Sequence, residues 1–205
     1  MRREQEILQA ALELFRGSEW ESVTIEQIAQ AAEVGKGTIY KHFASKDEIY
    51  ARLATYFHER LLAELRALDA SGEIPARLSS ALLTVWRSHQ GAGLAVRRVL
   101  EQCDRRSFQD RLPDRARGRL LELESARAAL IEEILEAGIG QRIFPRKPME
   151  LLTFGVASAL QGGIRAALRG EVSREDLEGH LTELANFVLA GLMFQGRVRD
   201  DLAAD

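Results

Sequence analysis

Apolar residues at Ile7, Leu8, Ala11, Leu14 and Phe15 fall at i, i+1, i+4, i+7 and i+8, one face of a helix that should end near Arg16 and Gly17. After the polar stretch 18–22, Thr24 is followed three residues later by Gln27, the pattern of a capping box. A second helix is predicted there, from Ile25 to Ala32. Glu33, Val34 and Gly35 read as a short turn, and Lys36 to Phe43 as another short helix, at the spacing of a helix-turn-helix. Ser45 and Glu48 repeat the capping pattern and open a long helix from Lys46 to about Leu68. Beyond the breakers at 69–72 every segment again carries helical periodicity. Pro75 suits a helix start, and breaks are expected at 90–93, 112–113, 138–148 and 170–172. No period-2 run of useful length occurs, so the chain is predicted to be all-α, with an N-terminal three-helix domain and a C-terminal helical domain.

On a helical wheel of Lys36 to Phe43, Ile39 and Phe43 share one side and predict a face packed on the two preceding helices. The opposite side is centred on Lys41, with Gly37 and Thr38 beside it, Tyr40 and His42 at the margins and Lys36 at the amino-terminal end. An apolar inner face, small residues that permit close approach and hydrogen-bonding side chains outside are what a helix seated in the major groove requires.

Charge changes this picture in detail. The chain carries 28 Lys and Arg against 31 Asp and Glu, a net charge of −3. Even residues 1–48 are net acidic, holding Arg2, Arg3, Arg16, Lys36, Lys41 and Lys46 against a larger number of carboxylates. The window 34–46 differs: it contains Lys36, Lys41, Lys46 and His42 and no acid at all. A compact cationic face, not a generally basic domain, is therefore expected to meet phosphate.

The stretch TIEQIAQAAEVGKGTIYKHFASKDEIY resembles the helix-turn-helix of TetR-like transcriptional regulators, a likeness that covers about residues 3–53. Gly37-Thr38-Ile39-Tyr40, and Phe43 followed by Ser45-Lys46-Asp47-Glu48, are its most specific parts. The resemblance implies DNA contacts from Lys36, Gly37, Thr38, Tyr40, Lys41, His42 and Lys46, with Thr24 capping the second helix beside a phosphate. Lys46 in the first turn of a helix suits a phosphate, and Lys41 and Thr38 suit base edges. Gly35 departs from the Ser or Thr of many relatives, and Arg2 and Arg3 are expected to compensate by reaching DNA from a short arm. The resemblance further implies a homodimer bound to a palindromic operator, repressing until a small hydrophobic effector releases it. A DNA-binding adaptor or activator without a ligand is the alternative. Residues 1–48 would form the DNA-binding domain and 49–205 the ligand-sensing and dimerisation domain.

Beyond residue 50 spacing speaks alone. Met149 to Arg169 is apolar on more than one face, through Leu152, Val156, Ala159, Gly163 and Ala167 among others, and Ala159, Gly163 and Ala167 form a small-residue stripe for close helix approach. Ser173 with Asp176 caps a last helix, whose stripe includes Leu181, Leu184, Val188 and Leu192, widened by Phe187 and Phe194. These two stripes are assigned to the dimer interface. Trp86, His89, Phe154 and Gln161 are the candidate effector-pocket residues, as apolar walls with a few polar handles.

No metal is expected, because the single cysteine, Cys103, belongs to no zinc-spaced cluster. Nor is a cofactor or enzymatic activity expected: no metalloprotease, nucleophile-elbow, P-loop or dinucleotide motif is present, and Gly35-Lys36-Gly37 is an incomplete fingerprint. The mixed-charge start reads as an amphipathic helix and not a signal peptide, and the longest apolar stretch is too short to span a bilayer. A cytoplasmic location is expected.

Overall fold

The computed structural model describes residues 2–17, 22–169, 173 and 175–201. Among them are ten α-helices and no strand: α1 (Arg2–Gly17), α2 (Ile25–Ala31), α3 (Lys36–His42), α4 (Lys46–Arg66), α5 (Ile74–Gly91), α6 (Leu94–Cys103), α7 (Arg106–Gln109), α8 (Asp114–Gly140), α9 (Met149–Arg169) and α10 (Leu177–Asp201). The all-α expectation holds, and the first four helices lie where periodicity and caps put them. The predicted break at 170–172 and most of the polar stretch at 18–22 lie outside the described residues.

Tertiary packing gathers the chain into two compact units, Met1–Arg60 with Ala92–Glu124, and Leu61–Gly91 with Ser125–Asp205. In the first, Ile7, Leu8, Ala11 and Phe15 of α1 share one core with Ile28 and Ala29 of α2, Ile39 of α3 and Phe43 after it, and Ile49, Tyr50 and Ala54 of α4. Ala95, Val99, Leu100 and Cys103 of α6 and Phe108 of α7 complete that same core. The helix-turn-helix is thus built on α6 and α7 as well as on its own three helices, a partnership that no signal within residues 1–48 announces.

In the second unit α5, α9 and α10 pack on one another. Trp86 of α5, fully buried, lies on Gly163 of α9 and donates its indole N–H to the Leu160 carbonyl at 2.9 Å. A Cβ on Gly163 would come within 2.8 Å of the indole nitrogen. A second helical glycine with a packing reason is Gly138, inside α8, where a Cβ would fall 2.1 Å from the Phe144 ring.

Candidate nucleic-acid interface

Local chemistry fixes where α2, α3 and α4 begin. Thr24 caps α2 in a complete box: its hydroxyl accepts the Gln27 N–H at 3.2 Å, while the Gln27 side chain accepts the Thr24 N–H at 2.8 Å. At α4 the predicted box is rearranged. The Ser45 hydroxyl accepts the Glu48 N–H at 3.2 Å, but the Glu48 carboxylate reaches back to the Ala44 N–H at 2.6 Å and not to that of Ser45.

Between α2 and α3 the chain turns through a Schellman motif, with the Val34 N–H on the Ala29 carbonyl at 2.9 Å and the Glu33 N–H on that of Gln30 at 3.1 Å. The left-handed residue of this turn is Glu33, at φ 53°. Gly35 is extended instead, at φ −71°, and serves as a side-chain-free N-cap of α3. The glycine that marks the turn in the sequence is therefore not the residue that makes it.

Within α3, Ile39 is fully buried and anchors the helix, and Phe43 just after it is buried too. Gly37, Tyr40, Lys41 and His42 are exposed and Thr38 is half-buried, so α3 turns the predicted side outward. A Cβ on Gly37 would meet nothing within 4 Å, which leaves room for a close surface. The His42 ring stands 6.3 Å from that of Phe43.

The three lysines of the window are in different circumstances. Lys46 donates to the Val23 carbonyl at 2.7 Å, tying the start of α4 to the residue before the α2 cap. Lys36 pairs with Glu26 of α2, and its ammonium stands 5.9 Å from the centre of the Tyr40 ring. The hydrogen bond from Lys36 holds the Glu26 carboxyl below its usual range, and the same bond raises Lys36. Lys41 has no ion-pair partner among the described residues. The acid-free window is acid-free only along the sequence, since the fold brings Glu26 into it. At the start of α1, Arg2 and Arg3 both pair with Glu6, at 3.3 and 2.6 Å.

Sequence reasoning missed the residues that brace this surface from behind. Arg111, just beyond α7, pairs with Asp47 in the first turn of α4 at 3.1 Å and stands 5.5 Å from the centre of the Phe108 ring. Phe108 in turn lies 6.2 Å from Tyr50, and Tyr50 4.2 Å from Phe15. Cys103 is buried in this core, and burial pushes its thiol far above the ordinary value, so it is an inert packing group.

The distal assignments fare differently. Leu152, Val156, Gly163, Leu181 and Leu192 are buried within the second unit, and Ala159, Ala167, Leu184 and Val188 are half-buried. The stripe assigned to the dimer interface thus faces chiefly inward, because the core of the second unit claims the more continuous apolar face of each helix. The approach that Gly163 permits is that of Trp86 of the same chain. The outward faces carry Leu151 and Phe154 on α9 and Phe187 and Phe194 on α10, with Phe187 78% exposed.

The four pocket candidates do not converge. Trp86 is buried against α9, and His89 turns its Nδ1 to the Val85 carbonyl of its own helix at 2.8 Å, with burial lowering its pKa. Phe154 and Gln161 are exposed on the opposite side of α9. Among the described residues no group of His, Cys, Asp and Glu could hold a metal ion, and no helix is long and apolar enough to cross a membrane.

A family model for bacterial regulatory proteins of the tetR family matches residues 7–53. The HTH-type transcriptional regulator TcmR of Streptomyces glaucescens is 39% identical over 79 residues, 38% of this chain and 34% of that protein, so the match spans about a third of the relative's length. A bacterial regulatory protein of the tetR family from Rhodococcus RHA1 has the same fold at 19% identity, with a TM-score of 0.74 over 94% of this chain and 97% of that one. FadR of Bacillus subtilis, solved in complex with stearoyl-CoA, superposes at a TM-score of 0.69 and 17% identity over 92% of this chain and 98% of that one. The helix-turn-helix at residues 7–53 thus matches the model of the tetR family of bacterial regulatory proteins, and the chain shares the fold of solved regulators of that family over about nine-tenths of its length.

Proposed function

We propose that the protein is a dimeric transcriptional regulator that docks α3 of each protomer into successive major grooves of an operator. The observation that carries this reading is the division of α3 into two faces: Ile39 fixes the helix from inside, and Gly37, Thr38, Tyr40, Lys41 and His42 are left outward beside the cap at Thr24. Lys41 and Thr38 read base edges, and Tyr40 and His42 contact the sugar-phosphate backbone. Lys46 acts in two ways: its bond to Val23 holds the starts of α2 and α4 together, and its ammonium, in the first turn of α4, meets a phosphate. Arg2 and Arg3 must exchange Glu6 for phosphate to take part.

Dimerisation is assigned to the outward faces of α9 and α10. Leu151, Phe154, Phe187 and Phe194 are large apolar side chains left exposed on these two faces, as a partner-binding surface would require. Gly155, Ser158 and Gly162 lie on the same side of α9, and a Cβ on either glycine would meet nothing within 4 Å, so a second copy could approach closely. A two-fold dimer reads half-sites about 34–36 Å apart or a multiple of it.

Repression relieved by a small hydrophobic effector completes the proposal. It is supported by the shared fold with a regulator solved with stearoyl-CoA, and not by the four pocket candidates. α4 runs as one helix from the first compact unit into the second, and is the continuous element through which an effector would alter the spacing of the two α3 helices.

Selection of bound duplexes from a random pool tests the reading. A palindromic site is expected; recovery of no enriched sequence would refute sequence-specific DNA binding, and a single unrepeated site would refute the two-fold dimer. A screen of acyl and other apolar compounds for those that both raise the melting temperature and release that duplex separates repressor from ligand-free adaptor.

A further inference from the structure

The Lys36–Glu26 pair lies on the surface proposed to meet DNA, and its members have competing demands. Both side chains are more than half exposed, so neither is held by a core. Glu26 stands in the first turn of α2, where the partial positive charge of the helix end also favours a carboxylate, and Lys36 opens α3. With its ammonium on Glu26 and beside the Tyr40 ring, Lys36 has its charge satisfied within the protein. To contact a phosphate it must leave a carboxylate, and that carboxylate is then left unpaired near the DNA backbone.

We propose that Glu26 is a specificity-determining residue: it withholds the Lys36 ammonium from DNA in loose, non-specific complexes and releases it only when α3 is fully seated. This rests on the DNA-binding reading above. Non-specific binding is almost entirely phosphate neutralisation, so a cation kept on Glu26 is missing from it in full. In the seated complex, base contacts by Lys41 and Thr38 hold α3 close enough for phosphate to replace the carboxylate. An exposed pair of this kind resists exchange only modestly, which suits a residue that must switch partners. The consequence is a protein that leaves random DNA easily despite carrying a cationic recognition helix.

The test measures binding of the native protein and of Glu26→Gln to a random-sequence duplex and to the duplex enriched by selection, across about 50–200 mM salt. Glutamine retains a hydrogen-bond acceptor and removes the charge. On random DNA the variant should bind more tightly, and the slope of log K against log salt should steepen by about 0.9 per protomer, the release of one more counterion. On the selected duplex the slope should stay as it is, with affinity rising by no more than about five-fold per protomer. Adding Lys36→Met to Glu26→Gln should return the random-DNA slope to the native value. An unchanged slope in Glu26→Gln, or a steepened one that survives Lys36→Met, overturns the inference while leaving DNA binding intact. Failure of the native protein to bind either duplex overturns the DNA reading itself. Circular dichroism of each variant should match the native spectrum, because both positions are exposed.

Discussion

α3 and α9 pose the same problem to a reader of sequence, and only one of them yields to it. Each turns one face to its own core and leaves the other exposed. α3 has a single large aliphatic residue, Ile39, so its inward direction is unambiguous and the polar outward face follows. α9 is apolar on more than one face: Leu152 and Val156 point in, Leu151 and Phe154 point out, and hydropathy cannot rank them. Periodicity locates stripes; it says which stripe is the core only when the other is polar. The same holds for α10, where Leu181 and Leu192 are inside and Phe187 and Phe194 outside.

That difference can be attacked directly. Phe187→Glu places a charge in the outward stripe without touching the protomer core. Sedimentation should show a dimer turning to monomer, with dimer affinity reduced by about 2–4 kcal/mol, the scale of an aromatic anchor at the centre of an interface. An unchanged dimer would mean that the outward faces of α9 and α10 are not its interface.

Neighbouring glycines in α9 give a finer contrast. Gly163→Ala drives a methyl to 2.8 Å from the Trp86 indole and 3.0 Å from Leu184, and should destabilise the protein by roughly 1–3 kcal/mol through overpacking. Gly162→Ala meets nothing within 4 Å. It should stabilise the isolated protomer by about 1 kcal/mol through helix propensity alone. Denaturant unfolding of the two variants, each made in the Phe187→Glu background to remove dimer effects, compares them. Equal behaviour would contradict the close packing of α5 on α9.

Much of the DNA-binding half was legible because its signals are short-range. Thr24 with Gln27 fixes a helix start within four residues, and the i, i+4 spacing of Ile39 and Phe43 fixes an inward face. What stayed hidden depends on distant sequence. Glu26 is ten residues from Lys36, and Arg111 is sixty-four from Asp47. Neither pair lies on a single helix, so no helical periodicity relates its members. The contribution of α6 to the core beneath the helix-turn-helix is hidden for the same reason. In the second unit Trp86, a candidate pocket wall, and Gly163, a candidate approach for a second copy, are each other's partner across α5 and α9.

The turn between α2 and α3 supplies the smallest effect and the most local one. Its glycine drew attention, yet Gly35 has a backbone conformation open to any residue, while Glu33 bears the left-handed one. A side chain with a Cβ in that region is disfavoured by about 1–2 kcal/mol, so Glu33→Gly should stabilise the first unit by about 1 kcal/mol. Glu33→Ala removes the same charge without relieving the backbone and should give no such gain, which separates conformational strain from electrostatics. Gly35→Ser supplies the missing cap of α3, where a Cβ meets nothing within 4 Å, and should add only a few tenths of a kcal/mol. Thermal melts of the three variants should therefore rank Glu33→Gly first and Gly35→Ser second. A loss of stability in Gly35→Ser with no gain in Glu33→Gly would instead place the left-handed residue at the glycine.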